Sequence, residues 1–100
     1  MAKKSMIQRE IKRKKLIDKY KKERKEIKKL INSTENFENK IKLQEKYQKI
    51  PKNSLKCRAR NRCWMTGRSR GYYSDFGLSR HVLREMSHDC LLPGIKKSSW

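Results

Sequence analysis

An excess of basic residues limits what this chain can fold into more than any other feature of its sequence. Its 100 residues hold 29 Lys and Arg against 10 Asp and Glu, a net charge of +19. Repulsion at that density opposes compaction, and bound phosphates relieve it. Hydrophobic residues make up 34% of the chain, below the roughly 45–50% of globular domains. We therefore predict little independent core and a nucleic-acid partner, with an anionic membrane surface as the weaker alternative.

Several classes of protein are excluded by what the sequence lacks. No stretch approaches the roughly 20 apolar residues of a membrane span, and the N-terminus resembles neither a secretory signal nor a transit peptide. The acidic residues are scattered, and no nucleophile elbow, phosphate-binding loop or dinucleotide-binding glycine pattern occurs. We expect no enzyme, no small-molecule substrate, no cofactor and no membrane partner. Cys57, Cys63 and Cys90 form no even-numbered framework, so reduced thiols are expected.

The type of basic residue changes near Pro51. Residues 1–52 hold 16 Lys and 3 Arg, whereas residues 53–100 hold 3 Lys and 7 Arg. Lys is a mobile point charge, while the planar guanidinium of Arg binds phosphate in a fixed geometry and stacks on bases. We predict a Lys-rich helical N-terminal extension over 1–52 and an Arg-rich RNA-binding module over 53–100.

The N-terminal half has the composition of two helices. Residues 3–31 contain no Gly or Pro and are rich in helix-forming residues. Ser33 or Thr34 is a suitable N-cap for a second helix, which Pro51 ends. Together these features predict a helical hairpin. A two-helix coiled coil is the alternative, although the heptads do not persist.

The C-terminal half is predicted to be irregular up to a short helix. Residues 52–78 hold three of the four glycines and show no periodicity, which indicates loops. Residues 79–90 resume a helix, with Ser79 as its N-cap and Pro93 beyond its end. Its apolar face consists of Leu78, Val82, Leu83 and Met86. The predicted fold class is mostly α and elongated, with an N-terminal helical hairpin, an irregular Arg/Gly-rich loop module, a short C-terminal helix and little independent core.

Arginines in the C-terminal half are spaced for phosphate binding. Arg58, Arg60 and Arg62 alternate with other residues, and in an extended segment they would lie on one face about 6.6 Å apart. Arg68 and Arg70 repeat the spacing. A solvated run of charge is the alternative, but it explains arginines beside glycines and aromatic residues less well.

Four aromatic residues lie among these arginines and glycines: Trp64, Tyr72, Tyr73 and Phe76. Aromatic rings stack on unpaired bases, but they also pack beneath helices. We expect Phe76 and one tyrosine in a small core. For Trp64 and the other tyrosine, the sequence supports packing and RNA contact equally.

The last predicted helix carries further polar candidates. Arg80 and Arg84 are four residues apart, on its exposed side. His81 and His88 share a face with Cys90 nearby, but a metal site needs a fourth ligand and tighter spacing. Contact with RNA or solvent is the simpler interpretation of the histidines.

Two segments resemble a known family. NRCWMTGRSRGYYSDFGLSRHVLRE at 61–85 and LLPGIKKSSW at 91–100 closely resemble the small-subunit ribosomal protein of the universal S-fourteen family. The N-terminal half is similar to its longer bacterial and organellar form. The resemblance implies a structural constituent of the small ribosomal subunit. Such proteins bind the 16S-type rRNA in the subunit head, touch neighbouring head proteins and support assembly and translation.

Some members of that family carry a zinc ribbon. Placing its two glycine landmarks on Gly67 and Gly77 puts the four ligand positions at Cys63, Thr66, Ser79 and Val82. Only Cys63 is a ligand type, and one thiolate cannot hold tetrahedral zinc. The resemblance therefore implies the zinc-free branch, in which packing and RNA contacts replace the metal.

The arginine spacing and the resemblance together give the expected rRNA-binding residues. They are Arg58, Arg60, Asn61, Arg62, Gly67, Arg68, Arg70, Tyr72, Arg80, Arg84, Lys96, Lys97 and Trp100. The segment REMSHDCLLPG is most similar to plastid versions, and the excess of Lys and Ile indicates an AT-biased genome. We expect the chain in the plastid (chloroplast) stroma, within the ribosome. A mitochondrial or bacterial cytoplasmic location is the alternative.

Overall fold

The computed structural model describes residues 2–99, which fall into two compact units. The helical unit is Gln8–Ala59, and the arginine unit combines residues 2–7 with residues 60–99. The boundary at residues 52 and 53, drawn from charge composition, stays a prediction. The elements in chain order are α1 (Lys4–Ser33), α2 (Phe37–Lys49), two 3₁₀ turns (Lys52–Ser54 and Lys56–Arg58), β1 (Tyr72–Tyr73), β2 (Leu78–Ser79) and α3 (Arg80–His88).

The two predicted N-terminal helices are confirmed. Only residues 34–36 separate α1 from α2, and the guanidinium of Arg24 on α1 lies 4.8 Å from the ring centroid of Tyr47 on α2. The second helix ends where proline requires it to end. Ile50 has extended backbone angles (φ −66°, ψ 138°), because the ring of Pro51 disfavours the helical region for the residue before it.

The predicted cap of α2 is wrong. The hydroxyls of Ser33 and Thr34 donate to the carbonyl of Leu30, at 3.1 and 2.6 Å, so they satisfy the last turn of α1 instead. The residue at the N-cap of α2 is Asn36, and its side chain makes no capping hydrogen bond.

The apolar residues of α1 and α2 do not form a coiled-coil seam. Leu30 is 51% exposed, Ile41 45% and Phe37 75%, whereas a seam would bury residues of this kind in the facing helix. The coiled-coil alternative is therefore wrong. The helices are instead secured around Arg24, whose Nε donates to Ser54 Oγ at 2.9 Å.

The arginine unit contains a short β-hairpin that the sequence did not predict. β1 and β2 pair antiparallel, with Tyr72 opposite Ser79 and Tyr73 opposite Leu78. Gly77 closes the loop between them with φ +67°, and its N–H donates to the carbonyl of Tyr73 at 2.9 Å. Strands of two residues are too short to show alternation in the sequence, which is why only an irregular loop was expected.

The predicted last helix is confirmed, with Ser79 at its N-cap, but it is shorter than 79–90. Cys90 adopts φ +56°. Its N–H donates to Ser87 O at 3.4 Å, and the N–H of Leu91 donates to Met86 O at 3.0 Å. This pair of bonds is a Schellman motif, in which a left-handed residue ends the helix. The helix therefore ends before Pro93.

The core is small, as predicted. The buried hydrophobic residues of the described chain are Ile50 in the helical unit and Cys63, Leu78 and Val82 in the arginine unit. Leu83, Met86 and Leu92 pack against the latter three. The predicted apolar face of α3 thus does form the core of the arginine unit. Within residues 2–99, no helix combines the length and the apolar character needed to cross a bilayer.

Candidate nucleic-acid interface

The arginine unit is organised around a tight turn over residues 63–67. The N–H of Gly67 donates to Cys63 O at 2.8 Å, and the N–H of Cys63 donates to Arg68 O at 2.9 Å. The turn is tied to the β-hairpin because the N–H of Trp64 donates to Gly77 O at 3.2 Å. These bonds place the arginines that follow the turn beside α3.

Gly67 is buried and is required by the turn itself. It has φ +72°, and a Cβ there would stand 2.8 Å from Ile7 Cδ1. Its carbonyl accepts a hydrogen bond from Arg62 Nη1 at 2.9 Å. Both residues therefore shape the unit from within, and their expected contact with rRNA stays a prediction.

The sulfur of Cys63 is buried beneath this turn, with 2% of the residue exposed. Burial alone would raise the pKa of its thiol. Hydrogen bonds from the Thr66 hydroxyl and from the N–H groups of Thr66, Ser79 and Met65 lower it, and the net pKa is about 6 instead of 9.0. The donors around the sulfur therefore favour its thiolate form.

The four positions aligned with the zinc ligands meet around that sulfur. Donor groups of Thr66 and Ser79 lie around it, and Val82 shares its apolar cluster. No three His, Cys, Asp or Glu side chains in residues 2–99 come together as a metal site requires. The expectation that packing and RNA contacts replace a metal in this chain stays a prediction.

Four of the predicted site residues converge on one groove, which we call the tail groove. Arg80 and Arg84 of α3 face Lys96 and Lys97 of the C-terminal segment across a cavity of about 710 Å³. Tyr73, Phe76, His81, Leu83, Ser87, Ile95 and Ser98 complete its lining, and no acidic side chain among residues 2–99 belongs to it. The groove therefore combines four cations with two aromatic rings.

Local backbone geometry positions the arginine at the head of this groove. The N–H of Arg80 donates to Gly71 O at 2.7 Å. A Cβ at Gly71 would lie 3.2 Å from both Cγ and Cδ of Arg80. The absent side chain thus lets the stem of Arg80 run closely over the backbone of residue 71. At the other end, Lys97 Nζ lies 3.4 Å from His88 Nε2.

Arg68 and Arg70 line a second cavity of about 450 Å³, with Ser69, His81 and Glu85 among its other residues. Arg68 Nε donates to the carbonyl of Arg70 at 3.2 Å, so the first of the pair is oriented by the chain itself. Glu85 makes this cavity less positive than the tail groove.

The remaining predicted residues lie outside these two cavities. Arg58 belongs to a 3₁₀ turn of the helical unit and donates to Asn53 Oδ1 at 3.2 Å. The expected extended run of Arg58, Arg60 and Arg62 is therefore wrong at its first member. Arg60 and Asn61 are exposed and Tyr72 is half-buried. Trp100 lies outside the described residues.

Of the four aromatic residues of this unit, only Phe76 lies where the sequence did not predict it. Phe76, expected in the core, lies in the hairpin loop and is 42% exposed, while Tyr73 is 49% exposed. Both line the tail groove. Trp64 is 69% exposed, so it is available for contact instead of packing. A prediction of the hairpin would have revealed this, since loop residues and one face of each strand point outward.

Comparison with known proteins identifies the family. The family model described as ribosomal protein S14p/S29e matches residues 46–99. Over 100 residues and the full length of both chains, this chain is 64% identical to "Small ribosomal subunit protein uS14c" of Gracilaria tenuistipitata var. liui and 65% identical to that of Porphyra purpurea. It is 59% identical, again over both full chains, to "Small ribosomal subunit protein uS14" of Trichodesmium erythraeum. The predicted plastid-like resemblance is confirmed. The chain belongs to the S14 family of small-subunit ribosomal proteins, which are structural components of the ribosome and not enzymes.

Proposed function

We propose that this chain binds small-subunit rRNA through the tail groove and thereby stabilises the RNA fold of the subunit head during assembly. The observation that carries the proposal is the convergence of Arg80, Arg84, Lys96 and Lys97 without any acidic residue in the lining. Like charges that line one groove repel one another, and an RNA backbone that enters the groove reduces the repulsion.

The aromatic rings of the groove favour RNA over a merely acidic protein segment. Tyr73 and Phe76 lie exposed beside the cations, where unpaired bases stack on rings while their phosphates bind Arg and Lys. Arg80 and Arg84 add planar guanidinium groups that bind phosphate with two parallel hydrogen bonds. The groove thus matches both chemical parts of a nucleotide.

Neighbouring head proteins are the second class of partner in this proposal. Exposed apolar side chains outside the tail groove offer contact area for them, above all Phe37 at 75% exposure and Leu91 at 62%. The site of action is the plastid ribosome, in keeping with the algal uS14c relatives.

Binding of the purified chain to a transcript of the 3′ major domain of the rRNA, measured across a salt series, tests the proposal. Arg80→Gln with Arg84→Gln should weaken binding and reduce the slope of log affinity against log salt by about one for each phosphate that is no longer bound. The matched control is Lys28→Gln with Lys29→Gln, which removes the same charge from exposed positions of α1.

We expect the control to weaken binding only slightly and to keep the wild-type pattern of protected nucleotides. In the groove variant, a defined set of nucleotides should no longer be protected. Equal weakening by both variants, with unchanged protections, would show that net charge and not the groove determines binding.

A further inference from the structure

The helical unit contains a groove that the tail-groove proposal does not use, and we call it the helical groove. Lys14, Ile17, Asp18, Lys21 and Arg24 line one side of it from α1. Their spacing of three and four residues places them on one face of the helix. The other side consists of Tyr47 on α2 and residues 54–57 and 59, and the cavity measures about 630 Å³.

The inner surface of the helical groove is apolar and partly aromatic. Ile17, Leu55 and Ala59 are half-buried in the groove, and the ring of Tyr47 is half-buried beside them. Surfaces of this kind accept the flat face of a nucleobase by stacking and packing, with little dependence on which base is bound.

The rim of the same groove is cationic. Lys14, Lys21 and Lys56 are exposed around it, and together with Arg24 they outnumber the one carboxylate of the lining, that of Asp18. Exposed lysines on flexible stems suit phosphate groups, which they bind as point charges. An apolar interior with a positive rim complements a nucleotide, whose base has a flat aromatic face for stacking and whose phosphate is negative.

Arg24 in the wall of the groove is held by several partners of the chain itself. Arg24 Nε donates to Ser54 Oγ at 2.9 Å, and its Nη2 donates to Pro51 O at 3.2 Å. Ser54 is 2% exposed and donates in turn to Pro51 O at 2.5 Å. The same guanidinium lies 4.8 Å from the ring centroid of Tyr47. A guanidinium fixed in this way is preorganised, so a ligand need not order it on binding.

We infer that the helical groove holds one unstacked nucleotide of the rRNA, with its base against Ile17, Leu55 and Tyr47 and its phosphate at the lysine rim. This inference rests on the proposed rRNA binding but adds a second, specific contact in a unit whose lysines suggested only general attraction. An acidic protein segment would use the rim but would leave the apolar interior unfilled, so a nucleotide is the better match.

An exposed thiol within the groove makes the inference testable without any substitution. Cys57 is a free, exposed cysteine of the lining. The probe is a transcript of the small-subunit rRNA that carries 4-thiouridine, bound to the full chain. Irradiation should crosslink a single nucleotide position to the peptide over residues 54–59, and bound RNA should slow alkylation of Cys57.

Two uncharged substitutions separate shape from charge. Leu55→Ser should reduce RNA affinity by about tenfold, the order of magnitude for removing one stacked base, and should abolish that crosslink, whereas Leu55→Met should retain both. The matched control is Ile41→Ser, which removes an apolar side chain that is 45% exposed elsewhere in the helical unit. It should leave affinity and crosslink unchanged, and circular dichroism verifies the helices of each variant.

The possible outcomes separate the two proposals. If the chain binds the transcript but crosslinks only through residues 68–99, the tail groove stands and the nucleotide in the helical groove is refuted. If the peptide over 54–59 crosslinks to a neighbouring protein in assembled subunits and never to RNA, the groove takes a protein segment and our inference is wrong. If no specific binding is seen at all, the proposed function fails as well.

Discussion

Replacing Gly67 with Ala tests how the arginine unit is held together. The residue has φ +72°, and an added Cβ would stand 2.8 and 2.9 Å from Cδ1 and Cγ1 of Ile7. The left-handed conformation costs an L-residue roughly 1–2 kcal/mol, of which about 0.4–1 kcal/mol is offset by the lower entropy of the unfolded chain. Overpacking adds about 1–3 kcal/mol. We expect the free energy of unfolding to fall by about 1–5 kcal/mol.

Urea unfolding followed by Trp64 fluorescence in a Trp100→Phe background measures this change. Gly94→Ala is the matched control, since Gly94 has φ +71° with nothing within 4 Å of an added Cβ. It isolates the backbone cost, which should be about 1 kcal/mol or less. Ile7→Ala combined with Gly67→Ala should recover the overpacking part only. If Gly67→Ala costs no more than Gly94→Ala, close packing against Ile7 does not stabilise the turn.

Two further predictions concern cysteines of the arginine unit. Cys90→Gly should raise the free energy of unfolding by about 1 kcal/mol in the same urea assay, because Gly suits the left-handed position (φ +56°) that ends α3; no increase would mean that Cys90 is unstrained there. In a chain with Cys57→Ser and Cys90→Ser, the ultraviolet absorbance of the Cys63 thiolate should titrate near pH 6 when folded and near 9.0 in urea. Because the folded-state pKa is the lower one, the thiolate stabilises the folded chain relative to Cys63→Ala. This difference in the free energy of unfolding should be largest above pH 9.0 and should be lost as the pH falls through about 6. A difference that does not change with pH over that range would contradict a lowered pKa.

The two helices of the helical unit could be predicted because the signals that sustain and end a helix are local in the sequence. Absence of Gly and Pro sustains α1, and Pro51 stops α2 through a clash with the residue before it. The role of Arg24 could not be predicted in this way. Its partners Tyr47 and Ser54 are distant in the sequence, so no local pattern points to them.

In the arginine unit, the core could be predicted from the sequence, but the backbone fold could not. The apolar spacing of Leu78, Val82 and Met86 predicted its core, but the β-hairpin could not be predicted because each strand has only two residues. That omission had consequences for the site. Phe76 was expected in the core although it lies in the hairpin loop, and its position beside Arg80 in the tail groove depends on the turn that Gly77 closes.

Arginine spacing alone does not predict which guanidinium groups the folded chain itself orients. Arg62 donates to Gly67 O inside the unit, and Arg58 is oriented by Asn53 in a 3₁₀ turn. Both satisfy the alternating pattern as well as Arg60 does. An arginine with five donors meets nearby carbonyls as readily as phosphates, so only the folded backbone determines which of them remain directed outward.

Cys63 is the one aligned zinc-ligand position that keeps a metal-ligand side chain, and it lies buried between the turn and α3. A zinc ribbon stabilises its turns because the metal binds four ligands that are far apart in the sequence. In this chain, donors on residues 65 and 66 of the turn and on Ser79 at the start of α3 surround a single sulfur and lower its pKa to about 6. Charged acceptors make stronger hydrogen bonds than neutral ones, so the lowered pKa strengthens the link between the turn and the helix. Leu78 and Val82 pack around the sulfur and shield these interactions from water. Since Arg80 and Arg84 belong to the helix that follows Ser79, the same packing positions the arginines of the tail groove.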